Sequence, residues 1–157
     1  MITVRQATLD DSSDVLIWRN DPLAIKTSIN ESSVSDKEHA KWFPQTLDSD
    51  QCVHLLGEVT DVDGGIRKIG VCRFDRKANN QWRISINLNP AFRGQGLSEA
   101  FLGRSIAFWA NNAESQRVTL VAEVRETNVA SFKIFERNGF ESVALSAGVV
   151  RMLREFS

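Results

Sequence analysis

Ten residues, Asn89-Pro90-Ala91-Phe92-Arg93-Gly94-Gln95-Gly96-Leu97-Ser98, combine a strand end, a glycine-bearing loop and a helix start. That arrangement holds phosphate or another anion. Glycines at 94 and 96 admit positive φ and close backbone approach, so main-chain N–H groups can converge at the positive end of a helix dipole. Ser98 is of a type that caps such a helix, and Arg93 adds charge beside the loop. A second region, Asn128-Val129-Ala130-Ser131-Phe132-Lys133-Ile134-Phe135-Glu136-Arg137-Asn138-Gly139-Phe140, sets an asparagine before a helical run and closes it on glycine. A third joins Trp18-Arg19-Asn20-Asp21-Pro22 to the later His39-Ala40-Lys41-Trp42-Phe43. Its aromatic residues offer faces to a sugar or a base, and Arg19 or Arg73 suits a diphosphate. Each group also has a plain role: the glycines turn the chain, Trp18 and Trp42 fill a core, and the arginines pair at the surface.

The elements that must position these residues follow from periodicity. Ile2 to Ala7 alternates as a first strand, and Asp10-Asp11-Ser12-Ser13 offers cap chemistry to a helix reaching about Asn20, with Pro22 where it should stop. Ser35-Asp36-Lys37-Glu38 has the capping-box pattern and predicts a short helix before Pro44. Val53 to Thr60 and Ile66 to Phe74 flank Asp61-Val62-Asp63-Gly64-Gly65, a hairpin signal. A strand over Gln81 to Leu88 leads to the anion loop, and a helix from Ser98 to about Asn111 follows. Arg117 to Val124 is then a strand parallel to the one before the loop, as a right-handed crossover requires. A helix near Asn128 ends at an Asn138-Gly139 cap, and strands are expected near 140–145 and 149–156. The result is an α/β sandwich with a mixed, mostly antiparallel central sheet flanked by helices.

At 157 residues the chain suits one domain, 1–157, with one substantial core. A net charge of −1 with dispersed basic residues argues against a nucleic-acid footprint or a polybasic membrane patch. The expected partner is a small molecule or peptide. Cys52 and Cys72 lie in strand-like runs without a Cys-x-x-Cys or Cys/His cluster, which reads as reduced core residues and no metal site. The first residues carry neither a signal-peptide apolar region nor a long apolar span, so a cytoplasmic location is expected.

Arg93-Gly94-Gln95-Gly96-Leu97-Ser98 and the Asn128 to Phe140 segment together resemble the GCN5-related N-acetyltransferase (GNAT) superfamily, with serine in the last place of the loop motif. The resemblance implies acetyl-CoA as co-substrate and a splay between the parallel strands that takes its pantetheine arm. By the same resemblance the backbone of Arg93, Gly94, Gln95, Gly96, Leu97 and Ser98 would contact the pyrophosphate. Asn87 and Leu88 would receive the pantetheine and polarise the thioester, and Asn128 would touch the cofactor from the other side. Where many relatives place a tyrosine to protonate the thiolate, this chain has Phe135 and no tyrosine anywhere. Phe135 is then a packing residue against cofactor or core, and the proton comes from Ser131, a water or nothing. A thiol pKa near 8.5 already makes thiolate a fair leaving group.

The relatives' glutamate on the strand before the loop is also missing, since Trp82 to Leu88 holds no carboxylate. His39, His54, Glu58 and Asp75 remain as candidate bases, with His39 favoured because histidine titrates near neutrality and its helix lies where relatives shape the acceptor site. The Trp-Arg-Asn segment, the His-x-x-Trp-Phe segment and the block Gly70 to Asp75 resemble a subgroup that acetylates nucleotide-linked amino sugars, as in pseudaminic-acid and spore-coat polysaccharide pathways. This implies substrate contacts at Trp18, Arg19, Asn20, Trp42 and Arg73. Acetylation of a protein N-terminus or another small amine, or acetyl-CoA binding without turnover, stand as alternatives.

Overall fold

The structure is a computed structural model that describes residues 1–30, 32–112 and 117–156. Strands β1 (Ile2–Gln6), β2 (Cys52–Thr60), β3 (Ile66–Arg76), β4 (Gln81–Leu88), β5 (Val118–Arg125), β6 (Glu141–Ser146) and β7 (Val149–Phe156) form one sheet in the order β1-β2-β3-β4-β5-β7-β6. Helices are α1 (Ser12–Arg19), α2 (Pro22–Thr27), α3 (Asp36–Leu47), α4 (Ser98–Asn112) and α5 (Val129–Arg137). All neighbouring strands run antiparallel except β4 and β5. That parallel pair holds register only at Gln81 with Thr119, Trp82 with Leu120 and Arg83 with Val121. Beyond it both strands continue unpaired with each other, and the expected splay is open.

Strand alternation sends side chains to two different layers. On one face, Leu55, Cys72, Phe74, Ile84, Leu120 and Met152 pack with Phe101, Leu102, Ile106 and Trp109 of α4 and Phe135 of α5. Phe74 stacks on Trp109 at 5.4 Å and 2°. On the other face Leu56 and Val71 meet Val15 and Trp18 of α1 and Phe43 of α3. The helices α1 to α3 therefore roof one side of the sheet, and α4 and α5 cover the other.

Two local expectations need correction. Pro22 does not only stop α1; it opens α2, because a missing N–H is no loss at a first helical position, and Asp21 caps the new helix by accepting from Leu23 and Ala24 N–H. The capping box at Ser35 is formed as far as Ser35 Oγ accepting from Glu38 N–H, but α3 runs through Pro44 to Leu47. Full burial of Phe43 and the packing of Leu47 outweigh the lost backbone bond.

The roof is fastened by one buried carboxylate. Asp11, fully buried, accepts from Thr8 N–H at 2.8 Å, from both Nη atoms of Arg5 at 2.8 and 3.0 Å, and lies 2.8 Å from Lys68 Nζ. Lys68 also reaches Asp14, and Arg5 reaches Glu58. Burial alone pushes the Asp11 carboxyl up, yet the bonds from Arg5, Lys68 and Thr8 prevail and hold it well below the usual carboxylate range. A depressed carboxyl stabilises the fold above its unfolded pKa and loses that contribution as pH falls through the folded value. Asp11→Asn is expected to cost about 3 kcal/mol at neutral pH by urea denaturation. Its deficit against the parent should shrink once pH drops below about 4, where the unfolded carboxyl protonates; a constant deficit would place the effect outside the ion cluster.

Candidate active site

The anion loop is built as a backbone trap. Asn89 Oδ1 accepts from Ala91 N–H while its Nδ2 donates to the Lys68 carbonyl, which fixes a single 3₁₀ turn over Pro90–Phe92. Gly94 and Gly96 then take φ of +74° and +73°, and a Cβ at either would meet nothing within 4 Å. Their requirement is conformational, not a shortage of room in the chain. Among the described residues no main-chain carbonyl accepts from Gly96 or Leu97 N–H. The first bond of α4 joins Phe101 N–H to the Leu97 carbonyl, so the N–H groups of Ser98, Glu99 and Ala100 also lack intrahelical partners. Ser98 is therefore the first helical residue, and Leu97, not Ser98, holds the cap position.

Arg93 differs from the expectation in two respects. Its N–H donates to the Pro90 carbonyl at 3.2 Å, and its guanidinium lies 2.6 Å from Asp21 Oδ2. The Arg93 guanidinium holds the Asp21 carboxyl below the usual range. Arg93 thus tethers the loop to α2, and the N–H groups open to an anion begin after it. The exposed Gln95 folds back along the loop, donating from Nε2 to the Ala91 carbonyl.

Where β4 and β5 part, a cavity of about 520 Å³ opens between the sheet and the α1 to α3 roof. Strand register explains its floor: Val71 is partnered with Asn87, Arg73 with Ser85 and Asp75 with Arg83, so these side chains share a face. Asn87, Ser85, Arg83, Arg73 and Val71 line it from β3 and β4, and Glu123 from β5. Asn128, Ser131 and Phe135 close the α5 side, and Arg19, Glu38, His39 and Trp42 close the roof. Asn128 Oδ1 caps α5 by accepting from Ser131 N–H at 3.2 Å, which leaves its Nδ2 and the Ser131 hydroxyl for other partners. Phe135 is 2 % exposed and meets Phe140 edge-on at 5.0 Å.

Both histidines line the cavity, and both have a fixed tautomer. His39 Nε2 lies 3.0 Å from the Ser12 carbonyl, which can only accept, so Nε2 carries the proton and Nδ1 the lone pair. Its ring stacks on Phe43 at 5.0 Å, and burial pushes the imidazole below its ordinary value, against the pull of the Ser12 carbonyl. His54 Nε2 is 3.3 Å from Cys52 Sγ and 3.1 Å from Thr46 Oγ1, and because the Thr46 proton goes to the Phe43 carbonyl, the Thr46 contact assigns the donor role to Nε2. Its Nδ1 is buried and has no partner among the described residues. Burial, helped by Arg73, pushes the His54 imidazole down to about 4.

Of the expected substrate residues, Arg19, Trp42 and Arg73 meet at this cavity, and Trp18 and Asn20 do not. Trp18 is 4 % exposed within the roof core, where its indole packs under α1. Asn20 spends its amide on Val34, donating to the carbonyl at 2.6 Å and accepting from the N–H at 2.7 Å. Leu88 packs against the α4 core and lies off the cavity wall. Glu58 and Asp75 are engaged by Arg5 and Arg73. The cysteine thiols are pushed up to about 12, chiefly by burial, which suits core residues. The residue that sequence reasoning passed over is Glu123, with Arg83 beside it at 4.0 Å. A charged residue alternating with buried Ala122 and Val124 was its signal.

Among the described residues no group of three or more His, Cys, Asp and Glu side chains is placed to hold a metal, and no helix is long and apolar enough to cross a membrane.

Comparison with known proteins places this geometry. The profile of the Acetyltransferase (GNAT) domain matches residues 2–141. A curated relative, the uncharacterized protein MJ1062 of Methanocaldococcus jannaschii, is 26% identical over 145 residues; these span 89% of this chain and 28% of the relative, so the chain corresponds to well under half of that protein. A crystal structure of a domain from Methanocaldococcus jannaschii superposes with a TM-score of 0.84 at 19% identity, covering 99% of each chain. The spermidine N-acetyltransferase of Vibrio cholerae, solved with CoA and spermine, superposes at 0.81 with 14% identity over 98% of this chain and 95% of that one. With a family profile that spans residues 2–141, this chain belongs to the GNAT acetyltransferase domain family.

Proposed function

We propose that the chain is an acetyl-CoA-dependent N-acetyltransferase acting on a primary amine, most specifically the amine of a nucleotide-linked amino sugar. One observation carries the reading: β4 lines the cavity where it parts from β5 and leads within a few residues to the loop whose N–H groups are open, so an anion-anchored, extended thioester laid along β4 would end beside a chamber for an acceptor. The residues present fit acetyl-CoA. Gly96, Leu97 and the first turn of α4 would hold its pyrophosphate, Asn87 and Asn128 would flank its arm, and Phe135 would pack along it. Acetyl-CoA supplies an activated acetyl group.

Transfer breaks the thioester C–S bond and forms a C–N bond, while an ammonium acceptor gives up two protons, one to the departing thiolate and one to a base. We assign the base role to Glu123, which stands two residues past the last β4 and β5 pair, at the mouth of the splay. His39, offering Nδ1 from the roof, is the second candidate. The Ser131 hydroxyl, one helical turn before Phe135 and on the same cavity wall, is the proton donor we assign, and the main chain around Asn87 would polarise the carbonyl as charge develops.

The amino-sugar reading draws on the acceptor side. Arg73 lies 4.7 Å over the Trp42 ring, giving a flat cationic wall, and two neutral imidazoles present lone pairs suited to hydroxyl donors. The Vibrio enzyme crystallised with spermine shows that this fold serves small amines. A free-thiol release assay with acetyl-CoA and a panel of 4-amino-sugar nucleotides, amine metabolites and short peptides tests the reading. Stimulation by an amino-sugar nucleotide supports it, stimulation by a peptide or polyamine replaces the acceptor, and saturable cofactor binding without stimulation by any of them points to a binder.

Gly96→Val is expected to weaken acetyl-CoA binding at least about tenfold by calorimetry, through loss of the left-handed loop conformation, with a modestly lowered melting temperature because a β-branched residue is strained at a φ of +73° although its added atoms meet nothing. Unchanged affinity would remove the loop from the cofactor site. Glu123→Gln should lower kcat/KM by about 100-fold or more with cofactor affinity intact. If Glu123→Gln keeps its activity and His39→Asn loses it instead, the base is His39. Phe135→Tyr should change turnover by less than about threefold, or raise it modestly where thiolate release limits the rate; collapse of activity would show that the ring's packing shapes the splay.

A further inference from the structure

The acceptor chamber carries a guanidinium with no ion-pair partner among the described residues. Arg19 Nη1 is buried on the cavity wall and has no hydrogen-bond partner among the described residues. The other two guanidinium groups of the wall are engaged, Arg73 with Asp75 at 2.8 Å and Arg83 with Glu123 at 4.0 Å. Arg73 therefore does not neutralise its neighbour but acts on Arg19 as a like charge. Arg19 stands in the last turn of α1, where the helix dipole favours a cation, but a dipole supplies no acceptor atom to Nη1. A buried charged donor left unpaired is among the costlier features a fold retains, and one aimed into a ligand cavity is met by a ligand.

From this we infer that Arg19 forms an anion subsite within the acceptor chamber, separate from the backbone trap at Gly96, and that the chamber selects amines whose own structure carries a carboxylate or phosphoryl group. Polycationic amines are disfavoured there by the same charge. The inference rests on the cavity being the acceptor site, and it narrows the acceptor to anionic amines, of which nucleotide-linked amino sugars are one class. The guanidinium would engage two oxygens of such a group in the planar, bidentate fashion that arginine favours. His54 Nδ1, the other unpartnered buried atom of this wall, carries a lone pair and would take a hydroxyl or N–H of the ligand, not its charged oxygens.

The test is calorimetric titration of the protein saturated with acetyl-CoA, so that the loop is filled, with UDP, inorganic phosphate, malonate and spermine in turn. At least one anion is expected to bind, spermine is not, and Arg19→Gln should weaken the anion about tenfold or more while Arg19→Lys weakens it less. Circular dichroism melts establish that the variants are folded, and Arg19→Lys serves alone if Arg19→Gln is not. Phosphate or malonate binding through Arg19 without UDP binding keeps the subsite and removes the nucleotide from the proposed acceptor. Should acetyl-CoA fail to bind, the acetyl-transfer reading falls, and the same titration of the free protein still decides the role of Arg19. Absence of anion binding, binding indifferent to Arg19, or spermine binding as tightly as the anions overturns the inference.

Discussion

Parallel pairing between β4 and β5 ends at Arg83 and Val121, and each part of the candidate site takes its position from that point. A sheet satisfies its backbone groups by pairing, so two strands that part inside a fold expose polar main chain toward whatever fills the gap. Here β4 is held on its other edge by β3 through Leu88, and β5 by β7 along its whole length. Neither strand is free to close the gap by itself. Gly70 strengthens the constraint, because a Cβ there would lie 2.7 Å from the Asn87 carbonyl oxygen, and only glycine lets β4 follow β3 this closely as it leaves β5. The opening is a product of strand pairing and needs no side chain to prop it.

Electrostatics then fastens the mobile-length parts to this frame. Asp11 ties the start of α1 to β1 and β3 through Arg5 and Lys68, and Asp21 ties the start of α2 to the anion loop through Arg93. In both cases a carboxylate that caps a turn or helix also receives a distant cation, so local chain direction and long-range docking are set by one group. The Arg93 contact links the two halves of the site directly, since the loop that would hold an anion and a helix that roofs the cavity share it. Burial of Trp18 and the Asn20 clamp on Val34 serve the same end, fixing α1 and the chain that follows so that Arg19 faces the cavity.

The order of strands and helices was legible because each segment carried its own signal: alternation in Trp82 to Leu88, a turn-rich break at Asp61 to Gly65, and Asn-Gly at the end of α5, where Gly139 has φ of +86°. The anion loop was legible for the same reason, being a local matter of glycine and helix start. What depended on distant partners was not. Pro22 and Pro44 read as stops when the surrounding packing is unknown, yet one begins a helix and the other lies within one. Arg93 beside two glycines reads as a phosphate ligand, and its engagement by Asp21, 72 positions earlier, is invisible to spacing. Trp18 and Trp42 look alike in sequence, but only the face opposite the α1 core reaches the cavity. That Glu123 reaches the cavity is not legible from spacing, because it does so only through the parting of β5 from the strand before the loop.

The absence of tyrosine has a consequence for how this molecule can be observed. All of its near-ultraviolet emission comes from four indoles, Trp18, Trp42, Trp82 and Trp109. Trp82 and Trp109 contact each other at 5.9 Å in the α4 layer, and Trp18 is enclosed in the roof core. Trp42 alone lines the chamber, with a guanidinium over its face and an imidazole at its edge, both efficient modulators of an excited indole. The chain therefore carries a built-in optical reporter of its cavity, with three indoles away from it, two of them buried, as an internal reference and no phenol signal to subtract.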